Sequence, residues 1–436
     1  MPAIFSNLLN AVYNIVDQIY IGHGVGYGGI AATNVAFPLI TITAAISIML
    51  GVGCASNFNL SLGAGDQKRA DKIAGNGLTL MVAGGVVLAV ISLIFLHPLL
   101  RLFGANDEIM GLAVDYTSIV ALGIPFQVVT VGACQLVRAD GNPNWAMLSM
   151  VAGAVFNVIF NPLFMYTFGL GIKGIAWVTV LGQVLSASLA LSYIIRGMKT
   201  ARLSKSAFIP TAANAKAICA LGMSGFANQM AMTVVNTVLN NTLNYYGEAS
   251  QYGSTVTLGA VGAITKINII FIACVIGLSQ GCQPINGFNY GAKNYDRVKE
   301  TLKTLMVCAA IVSVIFFAAY QLLPRQIIGL FGKGSDEYVE FAVRYLRVFK
   351  LMTFTNWLQP LAAGFFTSIG KAKVGIFISL TRQIIFLLPL LLILPVFMGI
   401  DGVVYAGPIS DSVAAVLGVF FIVRELKRLD KLINDE

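Results

Sequence analysis

Nine stretches of this chain contain no charged residue over 20 residues or more, and they limit what the chain can fold into. The longest runs from residue 18 to 65, and the shortest runs from 351 to 370. An α-helix needs about 20 apolar residues to cross the hydrocarbon core of a bilayer. Only 11% of the 436 residues are charged and 57% are hydrophobic. This composition excludes a disordered chain, a disulfide-rich secreted domain and an ordinary water-soluble enzyme.

These runs predict an all-α integral membrane protein with twelve transmembrane helices. Helices are favoured over barrel strands because the runs are continuously apolar, whereas barrel strands alternate apolar and polar residues. A glycine cluster at residues 22–29 divides the longest run into two crossings. The predicted spans are 2–22, 30–57, 73–98, 108–137, 145–168, 172–195, 214–246, 255–284, 298–322, 336–367, 374–398 and 402–424.

The basic residues of the loops predict the orientation. Twelve crossings put both termini on one side, so the loops fall into two groups, one with nineteen Lys and Arg residues and one with four. By the positive-inside rule, the nineteen-charge side and both termini are cytoplasmic. The net charge of +9 is explained by this topology and by anionic lipid surfaces, so no nucleic-acid partner is expected.

Short motifs recur at an offset of 228 residues, which predicts an internal repeat. The matches are LFG at 102–104 and 330–332, Gly53-Cys54 and Gly281-Cys282, Gly63-Ala64 and Gly291-Ala292, and GIKG at 171–174 with GIDG at 399–402. We expect two homologous six-helix halves, residues 1–205 and 206–436, joined by a solvated basic linker at about 196–213. Six is even, so the halves are parallel repeats, as in several transporters that bind substrate between their halves. A duplicated scaffold without transport is the alternative.

Asp17 is the most informative polar residue in the first half, because a lone carboxylate in a membrane helix usually marks an ion or proton path. Burial disfavours its charged form, so it would take up a proton or be neutralised by a cation. Helix-rise arithmetic places Asp17 about 8 Å, Asn161 and Thr179 about 10 Å, and Asn157 about 16 Å below the outer helix ends. These oxygen-bearing side chains suit a hard cation such as Na⁺. For each Asn or Thr alone, interhelical hydrogen bonding is the alternative.

A different polar set interrupts the helices of the second half. Lys266, Arg382 and Asp411 each lie in an apolar helix, and Asn236 and Asn240 recur along the seventh helix. A buried ion pair of Asp411 with Arg382 or Lys266 is one interpretation, and direct substrate contact is the other. Along the tenth helix, Glu340, Arg344, Arg347 and Lys350 recur at three- and four-residue steps, which predicts one polar stripe.

Several segments together resemble the multidrug and toxic compound extrusion (MATE) transporters, in particular the bacterial branch of DNA-damage-inducible and staphylococcal-type members. They are YNIVDQIYIG in the first helix, FNYGAKNYDRV after the eighth, FNVIFNPLF before GIKGIAWVT, and GPISD in the last helix. The resemblance covers nearly the whole chain. It implies a twelve-helix, V-shaped antiporter that expels amphipathic, often cationic, organic compounds as H⁺ or Na⁺ moves inward.

The resemblance also implies roles for single residues. Asp17 matches the family's coupling carboxylate, and Pro2 matches a proline that permits bending of the first helix. Asp17, Asn157, Asn161 and Thr179 match the family's cation site. Related sequences often carry aspartate at the position of Asn161, so a two-carboxylate proton relay is not expected here, although the amide oxygen can ligate Na⁺. The family usually has a short cytoplasmic segment before this helix, so we expect a longer natural N-terminus.

The leading hypothesis is therefore a secondary active exporter in a bacterial cytoplasmic membrane. We expect a small organic substrate, lipid contacts, a monomer, no enzymatic activity and no cofactor besides the coupling ion. One alternative is a flippase for lipid-linked or polysaccharide intermediates, and another is a passive channel or receptor. The sequence identifies neither the substrate nor the coupling ion.

Overall fold

The computed structural model describes residues 2–25, 27–329 and 335–434, except for the side chains of residues 11, 13–15, 18, 19, 22–24 and 27. The second LFG motif, at residues 330–332, therefore lies outside the described residues. The described chain is helical almost throughout.

Seven helices make up the first half. They are α1 (Pro2–Gly24), α2 (Tyr27–Gly63), α3 (Gln67–Ile94), α4 (Leu96–Leu102), α5 (Asp107–Ala139), α6 (Pro143–Pro162), which a π-helical segment at Leu163–Thr167 continues, and α7 (Gly171–Gly197). Polar side chains cap several of them, as when Asn106 Oδ1 accepts a hydrogen bond from Ile109 N (3.1 Å) and Asn142 Oδ1 accepts one from Trp145 N (3.2 Å).

Nine helices make up the second half. They are α8 (Ala212–Glu248), α9 (Ser254–Gly291), α10 (Tyr295–Leu322), α11 (Pro324–Gly329), α12 (Asp336–Phe349), α13 (Leu358–Ser368), α14 (Ala372–Leu380), α15 (Leu388–Met398) and α16 (Ile400–Asn434). A π-helical segment, Thr381–Leu387, joins α14 to α15. Among the described residues, ten helical stretches are long and apolar enough to cross a membrane. The first helix, α1, and the interrupted α12–α13 segment bring the count to twelve.

The tenth span is not the continuous helix that the sequence predicted. Helix α12 ends at Phe349, a 3₁₀ turn covers Thr353–Thr355, and α13 begins at Leu358. Pro360 explains the break, because a proline in a helix interior has no N–H to donate and clashes with the carbonyl four residues earlier. Lys350 does not belong to the predicted polar stripe, since Arg347 is exposed whereas Lys350, in the break, is buried.

The faces that would meet lipid are apolar. On α15, Leu392 and Phe397 are 55% and 80% exposed, and on α10, Ile311 and Ile315 are 56% and 61% exposed. In water such surfaces would be strongly unfavourable, whereas lipid tails solvate them. The chain is an all-α membrane protein.

The alternation of the spans gives the molecule two faces. We call the face with the loops at residues 64–66, 140–142, 198–211, 292–294 and 369–371 the basic face, and the other the opposite face.

The two halves contact one another near the basic face. A methyl group at Gly53 would lie 1.9 Å from the carbonyl oxygen of Ile218, and Asn57 Nδ2 donates to Ala217 O (3.0 Å).

One contact between the halves is reciprocal. A methyl group at Gly63 of α2 would lie 1.9 Å from the carbonyl oxygen of Phe288, and one at Gly291 of α9 would lie 2.3 Å from that of Leu60. Each residue of one contact is 228 positions from its counterpart in the other, as in the repeat. The two halves are therefore related by a pseudo-twofold axis that passes through this crossing.

The linker between the halves is anchored to the first half, which differs from the solvated loop that the sequence predicted. Asp140 accepts hydrogen bonds from Lys199 N (2.7 Å) and Thr200 N (2.8 Å). Asn76 donates to the carbonyls of Ala207 (2.7 Å) and Ile209 (2.9 Å). Two buried polar side chains thus satisfy backbone groups of the linker.

Candidate functional site

The structure brings Asp17 and Asn161 together in the first half. Asn161 Nδ2, on α6, donates a hydrogen bond of 2.9 Å to Asp17 Oδ1, on α1. Both side chains are buried, with Asp17 7% and Asn161 1% exposed. The shared depth that helix rise predicted for these two residues is therefore observed.

Two amide oxygens of α6 have no hydrogen-bond donor among the described residues. Among the described residues, Asn157 Oδ1 and Asn161 Oδ1 are buried without a partner. Asn157 Nδ2 donates to the carbonyl of Gly153 (2.8 Å), and Asn157 and Asn161 are one helical turn apart on the same face of α6. Buried acceptors without donors are costly, and a cation or a proton would relieve that cost.

Thr179, the fourth residue of the predicted set, lies on α7, which packs against α6. Its hydroxyl donates to the carbonyl of Ile175 (3.0 Å), so the lone pairs of its oxygen are left as acceptors. The side chain is 8% exposed. Close packing of the two helices depends on Gly182, where a methyl group would lie 2.2 Å from Asn157 Nδ2.

The π-helical segment after Asn161 has a local cause. Pro162 follows Asn161 directly and has no N–H to donate, and the chain widens into the π-helix of Leu163–Thr167. Single π-turns inside α-helices occur frequently at functional sites.

Pro2 is the first residue of α1. A proline there removes no intrahelical hydrogen bond, because the first N–H groups of a helix have no partner within it. Pro2 therefore does not bend α1 in this arrangement, and its role as a hinge stays a prediction.

The second half holds a buried ion pair. Arg382 Nε donates to Asp411 Oδ1, and Asn356 Nδ2 donates to Asp411 Oδ2 (2.9 Å). The side chain of Asp411 has no exposed surface. Of the two partners considered for Asp411, the structure selects Arg382. Lys266 is exposed on α9 and forms no ion pair with any described residue.

Asn236 and Asn240 do not join this pair. Both are exposed on α8, in the part of the helix that is further from the basic face. Sequence reasoning did not identify Asn356, and it did not identify Lys350 as buried (5% exposed). The signal that could have found both is Pro360, which marks the break beside them.

Comparison with known proteins places this architecture in a family. A model of the MatE family matches residues 2–163 and 229–393, which is most of the chain, in two blocks that begin 227 residues apart. The chain belongs to the MatE family.

Several relatives of this MatE protein have been described. It is 33% identical to DinF-BH, a MATE multidrug transporter solved in complex with rhodamine 6G, with a TM-score of 0.89 over 97% of this chain and 93% of that one. The multidrug export protein MepA of Staphylococcus aureus (strain MSSA476) is 24% identical over 97% of this chain and 91% of its own length. A MOP superfamily transporter from Pyrococcus furiosus superposes with a TM-score of 0.90 at 22% identity, over 98% and 94% of the two chains.

Proposed function

We propose that this MatE protein exports amphipathic, often cationic, organic compounds in exchange for H⁺ or Na⁺ by alternating access. The observation that carries the proposal is the buried Asp17 carboxylate, bonded to Asn161 of α6, a helix with two buried amide oxygens that have no donor among the described residues. In this proposal, the coupling ion neutralises Asp17 and is ligated by Asn157, Asn161 and Thr179. A cation at this position would contact α1, α6 and α7, so its arrival and departure would alter how these helices pack.

The exposed polar residues of the second half are the proposed substrate contacts. Asn236 on α8 and Lys266 on α9 each lie twelve residues from the helix end at the opposite face, which is about 18 Å along the helix. Polar and charged side chains are expensive in lipid, so they are expected to face a water-filled space between the halves. Asn240, one turn from Asn236, extends the same surface.

The proposed arrangement has the halves closed near the basic face and a substrate cleft at the opposite face. Gly53 of α2 and Gly222 of α8 lie in the parts of these helices that are nearer the basic face. Their close contacts support the proposal that the two halves of the protein are closed there. We further propose a monomer in a bacterial cytoplasmic membrane, with both termini and the basic face in the cytoplasm. We also propose that the boundary between the two halves lies between residues 205 and 206.

Transport into proteoliposomes tests this function. Rhodamine 6G, the compound bound by DinF-BH, is the first probe, and its accumulation is measured under a pH gradient, under a sodium gradient and with neither. We expect accumulation that requires at least one of the two gradients. Movement of the dye that is independent of both gradients would contradict antiport.

The same vesicles distinguish the alternatives. Ion current without accumulation of the dye would indicate a passive channel. Transfer of a labelled lipid between the leaflets, again without accumulation of the dye, would indicate a lipid flippase.

A further inference from the structure

A buried arginine lies between the two halves near the basic face. Arg138, in the last turn of α5, is 6% exposed. Its Nη1 donates to Gln135 Oε1 (3.0 Å) in the same helix and to Gln280 Oε1 (3.2 Å) in α9 of the other half. Its Nη2 lies 3.5 Å from Ser6 Oγ and 3.2 Å from the sulfur of Met150.

No carboxylate compensates the charge of Arg138. No Asp or Glu oxygen of the described residues lies within 4.0 Å of its nitrogens, and its Nε has no hydrogen-bond partner. Two other shielded cations are paired, Arg382 with Asp411 and Lys371 with Glu425. A buried cation without a counter-charge is costly, so the environment of Arg138 favours an anion.

A cavity beside Arg138 offers a place for an anion. The centre of a water-sized sphere can move within about 10 Å³ of this cavity, so it has room for a single small occupant. Six polar side chains line it: Ser56, Asn59, Gln135, Arg138, Gln280 and Gln283. All of them carry N–H or O–H groups and none carries a carboxylate.

Three of these six side chains have donors to spare. Ser56 and Asn59 are buried, Gln283 is half-buried, and none of them forms a hydrogen bond with another described residue. Their hydroxyl and amide groups can donate into the cavity, and the unpaired positive charge of Arg138 beside it favours an anion over a cation.

We propose that this cavity binds one small monovalent anion of the size of chloride. Arg138, Ser56 and Asn59 of the first half and Gln283 of the second half hold it. Because both halves contribute, the anion binds when they are in contact near the basic face, and it stabilises that arrangement. The binding itself does not depend on the proposed function, whereas its effect on transport rests on alternating access.

Thermal unfolding of the purified full-length protein tests the site. The midpoint is measured at constant sodium while gluconate is replaced stepwise by chloride or bromide. We expect a saturable rise, on the order of 3 °C at a hundredfold excess over Kd. Arg138→Gln and Gln283→Leu should abolish the rise, and Arg138→Lys should retain part of it.

Arg196→Gln is the matched control, because Arg196 is an exposed arginine on the basic face with no ion pair among the described residues. It should respond to halide as the wild type does. Equal midpoints in gluconate and chloride for the wild type would show that water alone fills the cavity. An undiminished halide effect in both Arg138→Gln and Gln283→Leu would place the anion elsewhere, and either result would overturn the proposal.

A crystal grown in bromide gives an independent measurement if Arg138→Gln does not fold. Anomalous scattering should show one peak within hydrogen-bonding distance of Arg138 in the wild type and no peak there in Gln283→Leu. No bromide peak in the wild-type cavity would contradict the site directly. Because neither experiment involves transport, failure of this proposal is distinguishable from failure of the exporter proposal.

Discussion

Three buried charged residues differ in how far their neighbours compensate them. Asp411 has both a guanidinium and an amide donor, so its charge is matched within the fold. Among the described side chains, Asp17 has only the amide of Asn161, and Arg138 has only neutral acceptors. Matched charges are expected to serve structure, whereas unmatched ones are expected to need a mobile ion.

Asp17→Asn is expected to abolish gradient-driven accumulation of rhodamine 6G while the protein stays folded. The substitution preserves the shape and an oxygen that Asn161 Nδ2 can bond, but it removes the charge that a cation or proton would neutralise. Accumulation and the unfolding midpoint are measured on the same preparation. Asp115→Asn is the control, because Asp115 is a partly exposed carboxylate paired with Lys173 (3.2 Å). Normal coupling in Asp17→Asn would refute the assigned role.

Asp411→Asn is expected to lower the free energy of unfolding by about 3 kcal/mol, because it leaves the shielded Arg382 without its counter-charge. Adding Arg382→Gln to this variant should recover part of the loss. The four proteins of the double-mutant cycle are compared by denaturant unfolding in detergent. Equal stability of Asp411→Asn and wild type would show that the pair does not support the fold.

The sequence predicted part of these sites. Depth along the helices was sufficient to associate Asp17 with Asn161, because rise per residue is nearly constant. The choice between Arg382 and Lys266 as the partner of Asp411 was not predictable, because it depends on how each helix is rotated about its axis. Lys350 was misinterpreted because a lysine near a helix end usually extends to the interface.

At the scale of single elements, irregular segments interrupt the α-helices at several places, and polar residues lie beside them. The π-helix at Leu163–Thr167 follows Asn161, and the one at Thr381–Leu387 contains Arg382. The break between α12 and α13 contains Lys350 and Asn356. Charge-free runs predicted the spans, although α2, α9 and α16 end beyond the predicted residues 57, 284 and 424. These runs carry no sign of the irregularities, because charge content does not report local backbone geometry. The available signal was proline, at Pro162 and Pro360.

Gly53→Ala is expected to slow transport and lower the unfolding midpoint, whereas Gly281→Ala should change neither. The two glycines are repeat counterparts, but a methyl group at Gly53 would lie 1.9 Å from Ile218 O, and one at Gly281 would have no neighbour within 4 Å. The comparison is made by rhodamine 6G accumulation and thermal unfolding of both variants. Equal behaviour of the two would mean that close approach of α2 and α8 is not required.

At the scale of the whole molecule, the linker is held against the helices of the first half. Asp140 and Asn76 of the first half bond its backbone. Charge patterning could not show this, because a basic loop is normally solvated.

Substitution of either anchor is expected to make the linker several-fold more sensitive to trypsin, which cleaves after basic residues. Asn76→Ala and Asp140→Ala each remove acceptors or donors that bind linker backbone, and the linker contains Lys199, Arg202 and Lys205. The readout is the rate at which the full chain is cut into two halves. Asn289→Ala, which alters an exposed amide bonded within its own helix, should be cut at the wild-type rate. Unchanged rates in both anchor variants would contradict this account.

If the halves move as proposed, the reciprocal glycine crossing would be their pivot, and it lies at the basic face. Helix α2 has 37 residues, so it is a lever of about 55 Å with its pivot at one extremity. A tilt of about 10° there would displace the far tip by about 10 Å, the width of a small organic molecule. In the proposed alternating-access cycle, two glycines without side chains would thus let a modest rotation at one surface become a wide aperture at the other.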